Sequence, residues 1–152
     1  MNSASLLKSI KKRPTIDGYI SPCVENRKSK IHGLGLFAKK TIRKGLIIAG
    51  WGGHIVTEKE LSKLPKDISF NYALKIYKNL YLAEIKKSEL DASDFINHSC
   101  NPNCKIINKL VMITKRNIKK GEELTCDFSL PKRKLKMRCN CGSKNCKKTI
   151  YF

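Results

Sequence analysis

The sequence predicts a mainly β protein, on three observations. At 152 residues with 41% hydrophobic content, the chain suffices for one domain around one modest core. Short apolar or alternating runs recur along it, bounded by Gly, Asn or charged turn residues. The strongest helix-start signature is a single one, near the middle of the chain.

Taken in order, residues 46–49 read as a buried strand, and Thr57 opens a helix. There Thr57 and Glu60 form a T-x-x-E capping box ahead of Leu61 and Leu64, and Pro65 stops the helix. Residues 71–77 form the next strand, with Tyr72, Leu74 and Ile76 on one face, followed by strands over 80–85, 109–114 and 124–128. The segments I-R-K-G at 42–45 and I-K-K-G at 118–121 look alike and read as turns between strands.

Charge is lopsided: 32 Lys and Arg against 12 Asp and Glu give a net charge of +20, which invites an anionic partner such as nucleic acid. Residues 131–152 hold eight of the basic residues and no acid, leaving +12 for residues 1–130. Pro131 and the K-R-K-L-K after it read as a mobile basic link to a small Cys-rich tail. The N-terminus lacks the apolar run of a secretory signal, and no stretch reaches the roughly 18 consecutive apolar residues of a membrane span. The expectation is a soluble protein with no membrane partner.

Three segments concentrate the chemistry. The first, S-K-I-H-G-L-G-L-F-A, places Gly33 and Gly35 one residue apart, letting backbone approach a ligand closely. Ala38 stands where a dinucleotide fingerprint needs its third glycine. The second, D-F-I-N-H-S-C-N-P-N-C, gathers Asn97, His98, Asn101 and Asn103 around two cysteines, a set whose amides must bind each other or a ligand if buried. A Cys100 nucleophile with His98 as base lacks an orienting third group. The third is the tail, where Cys139, Cys141 and Cys146 stand in C-x-C-x4-C spacing. That spacing is too tight for a set of disulfides and supplies three of the four thiolates that a structural zinc ion takes, in a reducing compartment.

In this order, and joined to G-E-E-L-T-C-D-F at 121–128, these segments resemble the SET-domain protein-lysine methyltransferases with a post-SET zinc motif. The resemblance runs from about Ile20 to the C-terminus and implies a domain plan: an N-terminal extension (1–19), the SET domain (20–130), a basic link (131–136) and the post-SET motif (137–152). It implies a fold of small, curved β-sheets in which the N-H-S-C and G-E-E-L segments form a pseudoknot. It further implies S-adenosylmethionine as cofactor, with Gly33, Leu34 and Gly35 around its methionine part, Asn97 on its amino group, His98 at the adenine, and Tyr151 or Phe152 as the covering aromatic. The resemblance also implies one zinc ion with Cys100 as its fourth ligand beside Cys139, Cys141 and Cys146, leaving Cys23, Cys104 and Cys126 as free thiols.

Methyl transfer to lysine needs the neutral amine, and starting from a pKa near 10.4 that costs about 4 kcal/mol at neutral pH. A dry channel beside a sulfonium charge lowers that pKa and aligns the attack. Tyr72 resembles the channel tyrosine of the family. Three positions depart from the family pattern: Phe128 replaces the tyrosine that supplies the main active-site hydroxyl, Cys126 stands where Phe or Tyr usually sets how many methyls fit, and the third is Asp94. Asp94 likewise replaces the arginine usual before F-I-N-H, and Tyr77, Tyr81 or Tyr151 are the substitutes for the missing hydroxyl.

The resemblance thus implies a lysine methyltransferase acting on a histone or another basic nucleic-acid-associated protein, met on DNA because the chain's own charge disfavours attraction to a basic tail. The alternative is a catalytically weak SET module that binds chromatin or nucleic acid. Chromatin in a nucleus is the implied location, a host nucleus if the chain is a bacterial effector, with bacterial cytoplasm as the alternative. The Lys-, Ile- and Asn-rich composition suits an AT-rich genome.

Overall fold

A computed structural model describes residues 3–69, 72–129 and 136–151. Most of the basic link, and Phe152, lie outside the described residues. In chain order the elements are α1 (Ser3–Lys11), β1 (Thr15–Ile16), β2 (Tyr19–Ile20), β3 (Val24–Lys28), β4 (Leu34–Ala38), β5 (Ile47–Gly50), β6 (Gly53–Thr57), α2 (Glu58–Leu61) and α3 (Lys66–Ser69). There follow β7 (Leu74–Tyr77), β8 (Leu80–Ala83), two 3-10 turns, β9 (Asn97–His98), β10 (Cys104–Ile107), β11 (Val111–Thr114), β12 (Glu123–Cys126), β13 (Lys136–Arg138) and β14 (Thr149–Tyr151). The fold is mainly β, in small sheets of two to four strands. No helix among the described residues is long and apolar enough to cross a membrane.

The chain divides into two compact units, one of residues 1–19 and 50–94, the other of residues 20–49 and 95–152. In the first, the sheet runs β1-β6-β8-β7. Its core joins Leu6 and Ile10, one helical turn apart on α1, to Val56, Leu64, Ala83 and Ile85. The capping box at Thr57 is present, with Glu60 N–H donating to Thr57 Oγ1 at 3.3 Å and Thr57 N–H to Glu60 Oε2 at 2.8 Å. Arg13 grips the same carboxylate with two nitrogens. That guanidinium, opposed by burial and helped by Thr57, holds Glu60 down at about 2.

Glu84, just after β8, shows the opposite balance. Burial, then the nearby Asp94 and Glu89 carboxylates, push its pKa up to about 8 from 4.5. The folded state therefore keeps a proton that the unfolded chain releases, so stability is full below about pH 4.5 and is lost as pH rises through 8. Glu84→Gln is expected to stabilise the protein by about 1–2 kcal/mol at pH 8.5, a figure discounted for the solvent that still reaches this side chain, and by nothing at pH 4.5. Urea denaturation at both pH values checks this, and an equal shift at both overturns it.

In the second unit, one sheet runs β3-β4-β12-β9 and another β10-β11-β5-β2, with β13-β14 as a separate hairpin. Leu36, Ile48, Met112 and Leu124 are fully buried in it. The two look-alike turns meet: Ile42 and Ile118 form an antiparallel bridge, each N–H on the other's carbonyl at 2.9 and 2.8 Å, and both side chains are buried. Gly45 and Gly121 close these turns at φ +83° and +80°, backbone that favours glycine. In the first sheet β9 lies parallel to β12, with Asn97 opposite Thr125 and His98 opposite Cys126. This places the N-H-S-C and G-E-E-L segments side by side, as a pseudoknot requires.

Candidate functional site

Antiparallel pairing of β12 with β4 sets Glu123 opposite Phe37 and Leu124 opposite Leu36, so β12 lies between β4, which carries the end of the G-L-G segment, and β9 in one sheet. Asn97 ties them. Its Nδ2 donates to the carbonyls of His32 (3.1 Å) and Leu34 (3.0 Å) and to Glu123 Oε1 (2.8 Å). Ser29 Oγ donates to both Glu123 oxygens at 2.9 Å and accepts from Ile31 N–H at the same distance. With its Nδ2 so engaged, Asn97 presents Oδ1, an acceptor with no hydrogen bond among the described residues and suited to an ammonium donor. A Cβ on Gly35 would sit 2.2 Å from Glu123 Oε1 and 3.1 Å from Asn97 Nδ2. The glycine is thus required by close packing, while Gly33 next to it turns at φ +47° and Leu34 between them stays exposed. Ser29 and Glu123, which the sequence reading did not single out, are the support of this cradle.

His98 is buried, and both ring nitrogens are engaged. Phe128 N–H donates to Nδ1 at 3.1 Å, and Nε2 lies 3.4 Å from Cys100 Sγ. Because Nδ1 accepts, the neutral ring carries its proton on Nε2, facing the sulfur. Burial pushes the His98 pKa down, against the pull of the Asp127 carboxylate 3.5 Å away. Phe128 itself is half-buried, and Cys126, two residues earlier on β12, is fully buried. Burial drives the Cys126 thiol far upward, so it stays protonated.

The sulfurs of Cys100, Cys139, Cys141 and Cys146 all lie within 4.8 Å of one another. The Cys100 and Cys139 sulfurs are 3.8 Å apart, close to the ~3.8 Å edge of a tetrahedron with bonds of about 2.3 Å to zinc. This all-thiolate, tetrahedral donor set fits one zinc ion. Amide groups surround it: Lys147 N–H reaches Cys100 Sγ and Lys148 N–H reaches Cys146 Sγ, both at 3.4 Å, and Cys100 N–H reaches Cys141 Sγ at 3.5 Å. Such donors offset thiolate charge. Burial opposes ionisation of Cys141, but this amide and the Ser143 hydroxyl bring its pKa down to about 5, making it the first thiolate of the set. Burial holds Cys139 at about 12. Cys23, Cys104 and Cys126 stand outside the cluster as free thiols.

Tyr151 lies on β14 of the tail hairpin, opposite Lys136, with its side chain 46% exposed and thus open to a ligand. Tyr72 belongs to the first unit, where its N–H bonds the Ile68 carbonyl at 3.1 Å just before β7. Tyr77 and Tyr81 belong to that unit too.

The family profile described as "SET domain" matches residues 33–129, well over half of the chain and spanning the cradle, β9 and β12. The chain belongs to the SET-domain family. Similar curated proteins include the histone-lysine N-methyltransferase trithorax of Drosophila virilis, 34% identical over 134 residues that cover 81% of this chain and 3% of that protein. An H3 lysine-4 specific histone-lysine N-methyltransferase of Schizosaccharomyces pombe is 34% identical over 131 residues, covering 78% and 14% of the two chains. Histone-lysine N-methyltransferase set1 of Dictyostelium discoideum is 30% identical over 139 residues, covering 84% and 9%. This SET-domain chain therefore spans only a small fraction of the length of these relatives.

Proposed function

We propose that this SET-domain chain is an S-adenosylmethionine-dependent protein-lysine N-methyltransferase acting on a histone in chromatin, and so in a nucleus. The observation that carries the reading is the Asn97 amide, turned with Nδ2 on the glycine segment and Glu123 so that Oδ1 presents a fixed acceptor. When bound, the cofactor supplies an electrophilic sulfonium methyl. The chain's own residues supply its seat: Gly33, Leu34 and Gly35 the backbone cradle, Asn97 the acceptor for its amino group, the His98 backbone and Tyr151 the adenine contacts. Cys100, Cys139, Cys141 and Cys146 hold one zinc ion, which fixes the tail beside β9. Tyr72 is assigned to the lysine channel on its motif alone. The names of these relatives support the histone as substrate. At +20, the chain meets a basic tail most readily on DNA.

A second reading is favoured by one residue: Phe128 in place of the usual tyrosine suits a catalytically weak module that binds chromatin. Transfer of labelled methyl from S-adenosylmethionine to histones, free and in nucleosomes, separates the two. Asn97→Ala is expected to abolish cofactor binding in calorimetry and, through loss of the Nδ2 hydrogen bonds to His32, Leu34 and Glu123, to lower the melting temperature while leaving the protein folded. A mutant that no longer folds assigns the amide to structure alone and removes the supporting observation.

A further inference from the structure

The two look-alike turns are longer than their shared tetrapeptides. K-K-T-I-R-K-G at 39–45 and K-R-N-I-K-K-G at 115–121 each carry basic residues two and three positions before the buried isoleucine and one and two positions after it. All eight of these basic side chains are exposed, and seven have no ion pair among the described residues; the exception is Arg116, held by Glu122. The Ile42–Ile118 bridge pins the turns against one another, aided by Lys44 N–H on Asn117 Oδ1 (2.9 Å) and Thr114 Oγ1 on the Arg43 carbonyl (2.8 Å). A shallow hollow of about 340 Å³ beside them is lined by Lys44, Lys105 and Lys115.

Holding so many like charges in one place is unfavourable for the isolated protein. The excess is also local. The unit of residues 20–49 and 95–152 carries 21 Lys and Arg against 4 Asp and Glu, a net +17, whereas the other unit carries 11 against 8, a net +3. Neither turn contains an aromatic residue, so single-stranded bases find no stacking platform there, while the closely spaced phosphates of a duplex find a row of mobile amines.

We propose that the paired turns form a duplex-DNA-binding surface, with Arg43 and Lys44 on one arm and Lys115, Lys119 and Lys120 on the other gripping backbone phosphates without reading base sequence. None of these five residues belongs to the cofactor cradle. Its test needs no methyl transfer, so it stands or falls apart from the catalytic reading.

Fluorescence anisotropy with the full chain and a labelled duplex, over a range of salt, reads the effect. Changing Arg43, Lys44, Lys119 and Lys120 to Gln is expected to weaken binding more than ~10-fold near physiological salt and to flatten the log K against log salt slope by about 3 to 4. A charge-matched control, with Lys59, Lys63, Lys66 and Lys78 of the other unit changed to Gln, is expected to move the slope by less than about 1. Should the fourfold variant fail to fold, Lys44→Gln with Lys120→Gln, one from each arm, is expected to flatten it by about 2. Equal weakening in variant and control, or tighter binding to single-stranded RNA than to duplex, overturns the proposal.

Discussion

Chelation of the reduced protein is expected to release one zinc ion per chain and, with it, most of the affinity for S-adenosylmethionine. The tail can bury little apolar surface of its own: β13 is exposed throughout, and on β14 only Ile150 is buried. Metal binding is therefore expected to be the main source of its order, as in small domains where binding energy is folding energy. The loss does not stop at the tail, because Cys100 faces His98 and His98 receives the Phe128 N–H. Two substitutions divide this chain of contacts. His98→Asn keeps an acceptor near Nδ1 for Phe128 but loses the donor to sulfur, and is expected to speed zinc release to a chelator by about 10- to 100-fold. His98→Gln places its amide near Nε2, and is expected to keep zinc while loosening Phe128, seen as faster amide exchange there. Absence of zinc from freshly purified reduced protein, or identical zinc release in both variants, sinks the argument.

Much of the site was legible because its chemistry is local in sequence. The capping box at Thr57, the strand runs in the body and the close-set tail cysteines each sit within a few residues. The capping box and the cysteine cluster are present, and four of the five runs are strands with ends shifted by one or two residues. The run over 71–77 is a strand only from Leu74, so Tyr72 stands before β7 and not on its face, and Asn71 lies outside the described residues. What was not legible depends on partners far along the chain. α1 has only Leu6, Leu7 and Ile10 as large apolar residues, and nothing local says that Val56, Leu64 and Ile85 will cover them. β3 reads V-E-N-R-K, which shows no apolar alternation; it is a strand because β4 pairs with it over five residues. Asn97 and His98 form a two-residue strand that exists through its parallel register with β12. Ser29 and Glu123 meet across 94 positions, and the only local trace of their meeting is the glycine at 35, which leaves room for the carboxylate. The two basic turns were visible as similar segments, but their bridge through Ile42 and Ile118 is a tertiary fact.

Phe128→Tyr is expected to raise the single-turnover rate of methyl transfer by about 10- to 100-fold, since mispositioning of reacting groups costs up to about that much. The substitution adds one hydroxyl to a ring whose backbone is already fixed from two sides. The Phe128 N–H is held by His98 Nδ1 at 3.1 Å, and β12, two residues earlier, is locked in its sheet between β4 and β9. Neither restraint involves the side chain, so stability is expected to stay within about 0.5 kcal/mol. Cys126 is smaller than the aromatic usual in the family at that position, and the expected gain requires that this difference leave room for the added oxygen. In the wild type an apolar ring cannot orient the lysine amine by a hydrogen bond, and slow turnover is the expected result. If Tyr72 already supplies that hydroxyl, the pattern inverts: Tyr72→Phe becomes the damaging change and Phe128→Tyr crowds the channel and slows the reaction. Single-turnover rates at saturating cofactor for the wild type and both variants decide the matter, and a fast wild type that Phe128→Tyr does not improve removes the case for a weakened enzyme.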